Sequence, residues 1–412
     1  MFLKYFEKIK SNVNFQQFSL AFLIVSVWQL CLQLVNQFIL PLINSTSFNG
    51  LSLNVGLFSR WFRWDSAWYY YIAKTGYHYI NTVKPTQQTV VFLPTFPLID
   101  RLIHFLTGLS YMFSGLLINY LFTIGIIFII LKIWPLFINK YSKIDSKYKL
   151  KNYYLPILLT LSIPTIFVFV SFYSDATLVF FILLALYLAF KKKYLLAALS
   201  AGVASATIIT GVVAVIGLIF IYIEQEEIFK LNFLNILKKH LLKLISLGLL
   251  GIWGLIGYMI YLQLKFKSFL AFYTDEKAWG RSNNNLLNNF KNIWQQSFSN
   301  FFNPNFFGSH AIYLINLTDM VAVLAIIFII IWSIKYKNWW LSIYSFVALA
   351  LPISTGSIAS INRYFLILIP GVVFFLATLN KKVYRYLYFL LPILFILEII
   401  LAIYFLKGIY VF

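Results

Sequence analysis

Charged side chains are scarce in this chain, since Asp, Glu, Lys and Arg make up only 11% of its 412 residues. A soluble domain carries about 25%, so a soluble or disordered protein is excluded. The single cysteine, Cys31, cannot form a disulfide within the chain, which excludes a secreted disulfide scaffold. Walker loops, GxGxxG motifs and nucleophile elbows are also missing from the sequence.

Apolar residues are abundant instead, at 61% of the chain with a mean hydropathy of +0.83. This composition predicts an all-α polytopic membrane protein, with residues 1–412 forming one integral domain of about 9–11 transmembrane helices. Several apolar runs are short, which favours half-helices or hairpins. The candidate spans are 18–41, 111–138, 152–172, 175–190, 194–207, 209–223, 241–262, 319–335, 339–354, 364–380 and 386–406.

Basic residues outnumber acidic residues by 33 to 12. They cluster in short runs between apolar spans, as the positive-inside rule predicts, so we expect membrane lipids and not nucleic acid as the partner. All basic loops can be cytoplasmic if 92–109 does not cross the membrane and 195–222 is a hairpin that turns near 205–211. A first loop at 44–110, with interfacial helices, and a second at 263–318 then face outward. We therefore expect a multi-pass cell-membrane protein with an extracytoplasmic site.

The densest polar and aromatic segment, 60–79, lies in the first outer loop. It places Asp65 between Trp64 and Trp68. An aromatic belt at the lipid headgroups explains the Trp and Tyr residues but does not require an aspartate. Asp65 is a candidate general base; the alternatives are a helix N-cap or an ion pair with Arg60 or Arg63.

This segment resembles the first outer loop of the PIG-V-like mannosyltransferases, which carry an R-W-D-[SA]-x-[HW]-Y-x-x-I-A-x-x-G-Y pattern. Four later stretches resemble further family motifs in the same order. The matching residues are Arg63, Trp64, Asp65, Ser66, Trp68, Tyr69, Ile72, Ala73, Gly76 and Tyr77, then Phe92–Leu98, Tyr173–Asp175, Ala271–Phe272 with Trp279–Arg281, and Arg363–Tyr364 with Pro370. The family's A-T-R-P-T-G motif is altered, because Ile208 and Ile209 replace its Arg and Pro.

The resemblance implies a GT-C glycosyltransferase fold and an inverting transfer. A hexose, with mannose favoured, would pass from a polyprenyl-phosphate donor to an extracytoplasmic glycan, glycolipid or protein acceptor. Asp65 would be the catalytic base, and Arg363 would contact the donor phosphate. The expected substrate-binding residues are Arg63, Trp64, Trp68, Asp175, Trp279, Arg281, Arg363 and Tyr364.

Two alternatives stay open at this point. Four histidines without ligand spacing do not predict a metal site, but a divalent cation, Mg²⁺ or Mn²⁺, could bridge Asp65 and a donor phosphate. A transporter or lipid-linked sugar flippase would also explain many spans. Transporters favour ionisable residues near the bilayer midplane, where this chain has only Glu398 and Lys132. Asp100 and Arg101 are expected to form an internal ion pair.

Overall fold

A computed structural model describes residues 13–42, 56–80, 86–142, 146–231, 236, 238–281, 310–355 and 360–412. Their regular elements are all helical, which agrees with an all-α membrane protein. In chain order the α-helices are α1 (Val13–Leu34), α2 (Asp65–Thr75), α3 (Thr95–Thr107), α4 (Tyr111–Tyr141), α5 (Ser146–Lys151), α6 (Tyr154–Leu161), α7 (Asp175–Phe190), α8 (Tyr194–Ser205), α9 (Val213–Gln225), α10 (Leu241–Gly251), α11 (Trp253–Phe266), α12 (Ala271–Thr274), α13 (His310–Lys335), α14 (Trp339–Ser354), α15 (Ile361–Tyr364), α16 (Ile369–Thr378), α17 (Lys381–Tyr386) and α18 (Leu390–Leu406).

Fewer helices than predicted are long enough to cross a bilayer alone. Within the described ranges, five stretches are both long and apolar enough, or six if the bent pair α10–α11 is one span. The number of candidate spans is therefore lower than the 9–11 transmembrane helices predicted, several of which were expected to be half-helices or hairpins. The remaining apolar helices, including α7, α8 and α14, have 10–17 residues. The five long stretches are Val13–Ile39, Tyr111–Tyr141, Leu314–Lys335, Ile361–Thr378 and Lys381–Leu406.

The helix boundaries are compatible with both conditions of the predicted topology, and the orientation itself stays a prediction. Helix α3 has 13 residues, too few to cross, and it exposes Phe105 (81% exposed) while burying Asp100, as an interfacial amphipathic helix should. Residues 195–222 form the predicted hairpin, with α8 ending at Ser205 and α9 starting at Val213. The backbone N–H of Thr95 donates to the carbonyl of Ala206 at 3.1 Å, so the turn of this hairpin packs against α3.

Two predicted spans are interrupted. The prediction of a continuous span at 152–172 is wrong, because α6 ends at Leu161 and Pro164 follows; proline lacks an N–H group and disfavours helix at the preceding residue. The chain continues as a buried 3₁₀-helix at Ile166–Val170. The span at 241–262 bends by 56° at Ile252, between α10 and α11. Residues 282–309 of the predicted second outer loop lie outside the described residues.

Helix α4 is central to the packing, with α1, α3, α7 and α16 in contact with it. Two glycines on α4 allow aromatic rings to approach closely: a Cβ at Gly115 would lie 2.2 Å from the ring of Phe172, and one at Gly125 would lie 2.5 Å from Phe180. A second, smaller apolar cluster packs between α2, α3 and α11. Phe172 belongs to this smaller cluster, which supports the start of α2 and the chain just before α7.

Candidate active site

The backbone is strained immediately before Asp65. Trp64 has φ +49° and ψ −112°, a conformation that L-residues rarely adopt and that costs about 1–3 kcal/mol. The N–H of Arg63 donates to the Ser66 hydroxyl at 3.2 Å, and the N–H of Asp65 donates to the Tyr173 hydroxyl at 3.3 Å. These bonds fix the first turn of α2. Backbone strain of this kind is often found at functional sites, where the surrounding structure maintains it.

Arg363 also follows a residue with positive φ. Ser360, with φ +72°, precedes α15. Asn362 fixes this short helix, because its N–H donates to Asp319 at 3.0 Å and its amide donates to the Val411 carbonyl at 3.0 Å. Asp319, on α13, therefore positions the neighbour of Arg363.

The two segments meet in a buried cluster of charges. Arg363 Nη1 lies 3.0 Å from Asp65 Oδ2, and Arg363 Nε lies 3.7 Å from Asp175 Oδ1. The side chains of Arg363, Asp65 and Asp175 are only 7%, 14% and 4% exposed. Two carboxylates thus share one guanidinium at the start of α2 and the start of α7. This cluster joins three of the five predicted motifs.

Aromatic side chains enclose the Arg363 guanidinium. Its central carbon lies 5.4 Å from the ring centre of Tyr173 and 5.2 Å from that of Phe412, within the range of cation–π attraction. The hydroxyl groups of Tyr69 and Ser174 lie 2.7 Å apart, which ties α2 to the residue before Asp175. Burial raises the pKa of Tyr69, so its hydroxyl keeps its proton.

A second ion pair lies beside the first. Arg281 Nη1 is 2.9 Å from Glu276 Oε2, and Arg281 Nη2 donates to the Tyr364 hydroxyl at 3.2 Å. Burial raises the pKa of Glu276, and the nearby cation of Arg281 opposes that rise. Because Tyr364 follows Arg363 directly, this bond connects the fourth predicted motif to the charge cluster.

Three aromatic rings form a wall next to these charges. Trp68 stacks on Phe92 with ring centres 5.7 Å apart, and Trp279 meets both rings edge-on at 5.5 Å. These rings come from three of the predicted motifs. The indole Nε1 of Trp279 is buried, and no described residue accepts a hydrogen bond from it. A buried donor without a partner is costly unless a ligand or water satisfies it.

Some predicted residues have other roles in the structure. Arg63 donates to the Leu406 carbonyl at 3.1 Å and so anchors the end of α18. The Trp64 ring packs edge-on against Tyr410 at 5.3 Å. Neither alternative for Asp65 holds, because the N-cap residue of α2 is Trp64 and the cation paired with Asp65 is Arg363, not Arg60 or Arg63.

The expected ion pair between Asp100 and Arg101 is wrong. The Ser114 hydroxyl donates to Asp100 Oδ1 at 2.5 Å, while Arg101 donates to the carbonyl groups of Ala73 at 2.6 Å and Ile72 at 3.0 Å. Adjacent residues on a helix point in different directions, so these two side chains reach different partners. Arg101 thus helps hold α2 against α3.

Sequence reasoning did not single out five residues that lie in or beside the cluster. Tyr69, Tyr173 and Ser174 lie inside quoted motifs, so a search of those motifs for buried hydroxyl groups would have found them. Glu276 is one of two adjacent acids in the second outer loop. Phe412 carries no local signal, because its contact with Arg363 depends only on where α18 ends.

The cluster can in principle perform acid–base and electrostatic chemistry. A carboxylate can accept a proton, and a buried guanidinium can stabilise developing negative charge. Among the described residues, no group of three His, Cys, Asp or Glu side chains could hold a metal ion. No protein-family model, curated protein or solved structure matches this chain.

Proposed function

We propose that this chain is a membrane glycosyltransferase that moves a hexose, with mannose favoured, from a polyprenyl-phosphate carrier to an extracytoplasmic acceptor. The observation that carries the proposal is the shared contact of Arg363 with Asp65 and Asp175. Such a cluster provides a proton acceptor and a phosphate-binding cation within one site. The resemblance to the PIG-V-like, GT-C enzymes supports the choice of substrate class.

The reaction balances with these residues. Asp65 accepts the proton of the acceptor hydroxyl, whose oxygen attacks the anomeric carbon. The bond between that carbon and the phosphate oxygen breaks, and the lipid phosphate leaves with the electron pair. Once Asp65 is protonated, Arg363 loses one of its two anionic partners and can stabilise the leaving phosphate. Asp175 holds Arg363 in place throughout.

The aromatic wall fits the sugar. Flat indole rings pack against the apolar faces of hexoses, and the unpartnered Nε1 of Trp279 can donate to a sugar hydroxyl. Trp68 extends the same surface towards Asp65, three residues earlier on α2. The lipid donor follows from the expected orientation, because nucleotide sugars are cytosolic and too charged to cross a bilayer.

The test is a transfer assay in membrane vesicles with radiolabelled polyprenyl-phosphate mannose and an extract of envelope glycans as acceptor source. We expect label to leave the lipid for the acceptor with the natural chain. Asp65→Asn should lower the rate by about 10²–10⁴-fold, the usual value of general base catalysis. Near-normal transfer by this variant would show that Asp65 is not the base.

A matched control shows whether the effect comes from the loss of a carboxylate in general or from its loss at this site. Glu227 forms an exposed pair with Lys230 at 2.9 Å, so Glu227→Gln should leave transfer unchanged. A parallel assay with a polyprenyl-phosphate glucose donor tests which hexose the enzyme prefers. If the label changes leaflet but stays bonded to the lipid, the chain is a flippase and the transferase proposal is wrong.

A further inference from the structure

A cleft with a basic rim lies where α8 begins. It has a volume of about 680 Å³ and is formed by the turn between α7 and α8, the first residues of α8, and one face of α10 from Lys243 to Leu250. Its cations are Lys192, Lys193 and Lys243. Its apolar lining comes from Leu195, Leu196, Leu247 and Leu250.

This cleft is separate from the charge cluster. Helix α7 starts at Asp175, in the cluster, and ends at Phe190, next to the cleft. Sixteen helical residues rise about 24 Å, so the two sites lie at opposite ends of one helix. The cleft therefore lies beside the basic residues that follow α7, at the end of that helix away from the charge cluster.

The lysines at the cleft are available to an anion. None of the ion pairs among the described residues involves Lys192, Lys193 or Lys243. Of the nearby acids, Glu224 is neutralised by Lys140 at 2.9 Å, whereas Glu226, 3.2 Å from the neutral Tyr194 hydroxyl, keeps its negative charge. Three lysines against this one carboxylate leave the cleft with net positive charge.

Tyr194 and Tyr222 hold one of the cations in place. Lys243 Nζ lies 5.2 Å from the Tyr194 ring centre and 5.7 Å from the Tyr222 ring centre. The Tyr194 hydroxyl donates to Gln225 at 2.7 Å, which connects this ring to the end of α9. Lys243, on α10, is thus held in place by rings from α8 and α9, whereas a typical surface lysine moves freely.

Below the lysines the surface is apolar and exposed. Leu195 and Leu196 on α8, with Leu242 and Leu249 on α10, project outward from the two helices. In a membrane these side chains would contact acyl chains. A cationic rim above an apolar, lipid-facing surface is complementary to a molecule with an anionic head and acyl chains. Basic pockets between membrane helices on the cytoplasmic side bind such headgroups.

We propose that this cleft binds the headgroup of an anionic phospholipid. The phosphate contacts Lys193 and Lys243, and the acyl chains lie along Leu195, Leu196 and the exposed face of α10. A soluble phosphate would use the lysines but would gain nothing from the apolar surface. The proposal does not depend on transferase activity, because the cleft lies apart from Asp65 and Arg363.

The test is native mass spectrometry of the full chain released from nanodiscs that contain equal amounts of phosphatidylglycerol and phosphatidylcholine. We expect the natural chain to retain phosphatidylglycerol preferentially. Each lysine near a membrane surface contributes roughly fivefold to anionic-lipid binding, so the double variant Lys193→Gln, Lys243→Gln should lose about 25-fold in preference. Lys193→Arg with Lys243→Arg should keep the preference.

Lys382→Gln is the matched control, since it removes one exposed basic charge from α17, away from the cleft. It should lower the phosphatidylglycerol preference less than either single cleft variant does, and an equal loss would show that surface charge alone sets the preference and would overturn the proposal. Equal retention of both lipids by the natural chain would overturn the proposal, as would an unchanged preference in the double glutamine variant. Competition by millimolar inorganic phosphate would identify a soluble-anion site and would also overturn it. If the double variant does not fold, each single glutamine variant is tested instead, and each should lose about fivefold in preference for phosphatidylglycerol.

Discussion

Arg363 Nη1 lies 3.0 Å from Asp65 Oδ2, although 298 residues separate them in the chain. Arg363 also faces Asp175 at 3.7 Å, and all three side chains are nearly buried. The arginine therefore neutralises part of the charge that α2 and α7 bring together. The stability of this part of the fold and the proposed chemistry depend on the same guanidinium.

Removal of that guanidinium should destabilise the protein. Arg363→Gln leaves two buried carboxylates without a cation, and breaking a buried pair in this way costs about 3–5 kcal/mol. We expect a clear fall in the unfolding temperature in detergent, measured by intrinsic fluorescence. Arg385→Gln, which removes an exposed arginine on α17, should have little effect.

The interaction between the two partners can be measured with a double variant. Asp65→Asn combined with Arg363→Gln should lower the free energy of unfolding by less than the sum of the two single changes. Additive losses would show that the two side chains do not interact.

Loss of the Trp279 ring should weaken sugar binding. Trp279→Ala removes one side of the aromatic wall and the unpartnered Nε1 donor, so we expect KM for the sugar substrate to rise about tenfold, with a smaller change in kcat. Trp279→Phe should recover part of the loss, because it restores the ring but not the donor. Trp339→Ala, at the start of α14, serves as the control. A fall in kcat alone would contradict a binding role.

Stability should depend on pH through Asp100. Burial raises the pKa of Asp100 from 3.8 to about 7, although the hydrogen bond from Ser114 acts in the opposite direction. The folded protein therefore binds this proton more tightly than the unfolded chain. Its contribution to stability is complete below pH 3.8 and is lost as the pH rises through about 7. The unfolding temperature of the natural chain should fall over this range relative to that of Asp100→Asn. Parallel curves for the two proteins would show that Asp100 does not titrate in this window.

Two glycines on α11 should respond differently to the same substitution. A Cβ at Gly254 would lie 2.4 Å from the Gly202 carbonyl oxygen on α8, whereas a Cβ at Gly257 would meet no atom within 4 Å. Gly254→Ala should destabilise by about 1–3 kcal/mol, because the backbones of α8 and α11 must separate. Gly257→Ala should be neutral or slightly stabilising, since alanine favours helix by roughly 1 kcal/mol. Equal unfolding temperatures of the two variants would contradict this close approach.

Much of the local structure followed from the sequence. The short helix within 92–109 was predictable because Pro94, Pro97 and three polar residues interrupt the apolar pattern of this segment. The hairpin at 195–222 was predictable because its small and hydroxyl residues suit a turn inside protein. The interruption at 152–172 was missed, since an unbroken apolar run does not reveal whether its residues form one helix or a buried 3₁₀ segment. The bend at Ile252 was missed for the same reason.

The sequence also predicted that Asp65 and Arg363 share a site, but not the partners around them. Arg60 and Arg63 were the expected ion-pair partners of Asp65 because they are close to it in the chain. Closeness in the chain did not predict the actual partner. Arg63 instead holds the end of α18, and Asp175 joins the cluster because α7 starts beside α2. The ring of Phe412 covers the guanidinium only because α18 returns to the site.

The sequence by itself determined that this protein resides in a lipid membrane and where most of its helices lie. Scarce charge and long apolar runs require a membrane environment however the helices pack. Only the tertiary structure decided which charges meet. An ion pair depends on distances of a few ångströms between side chains, and those distances are set by the way α2, α7 and α15 pack together. Such contacts have no local signature, since the interacting residues are separated by hundreds of positions along the chain.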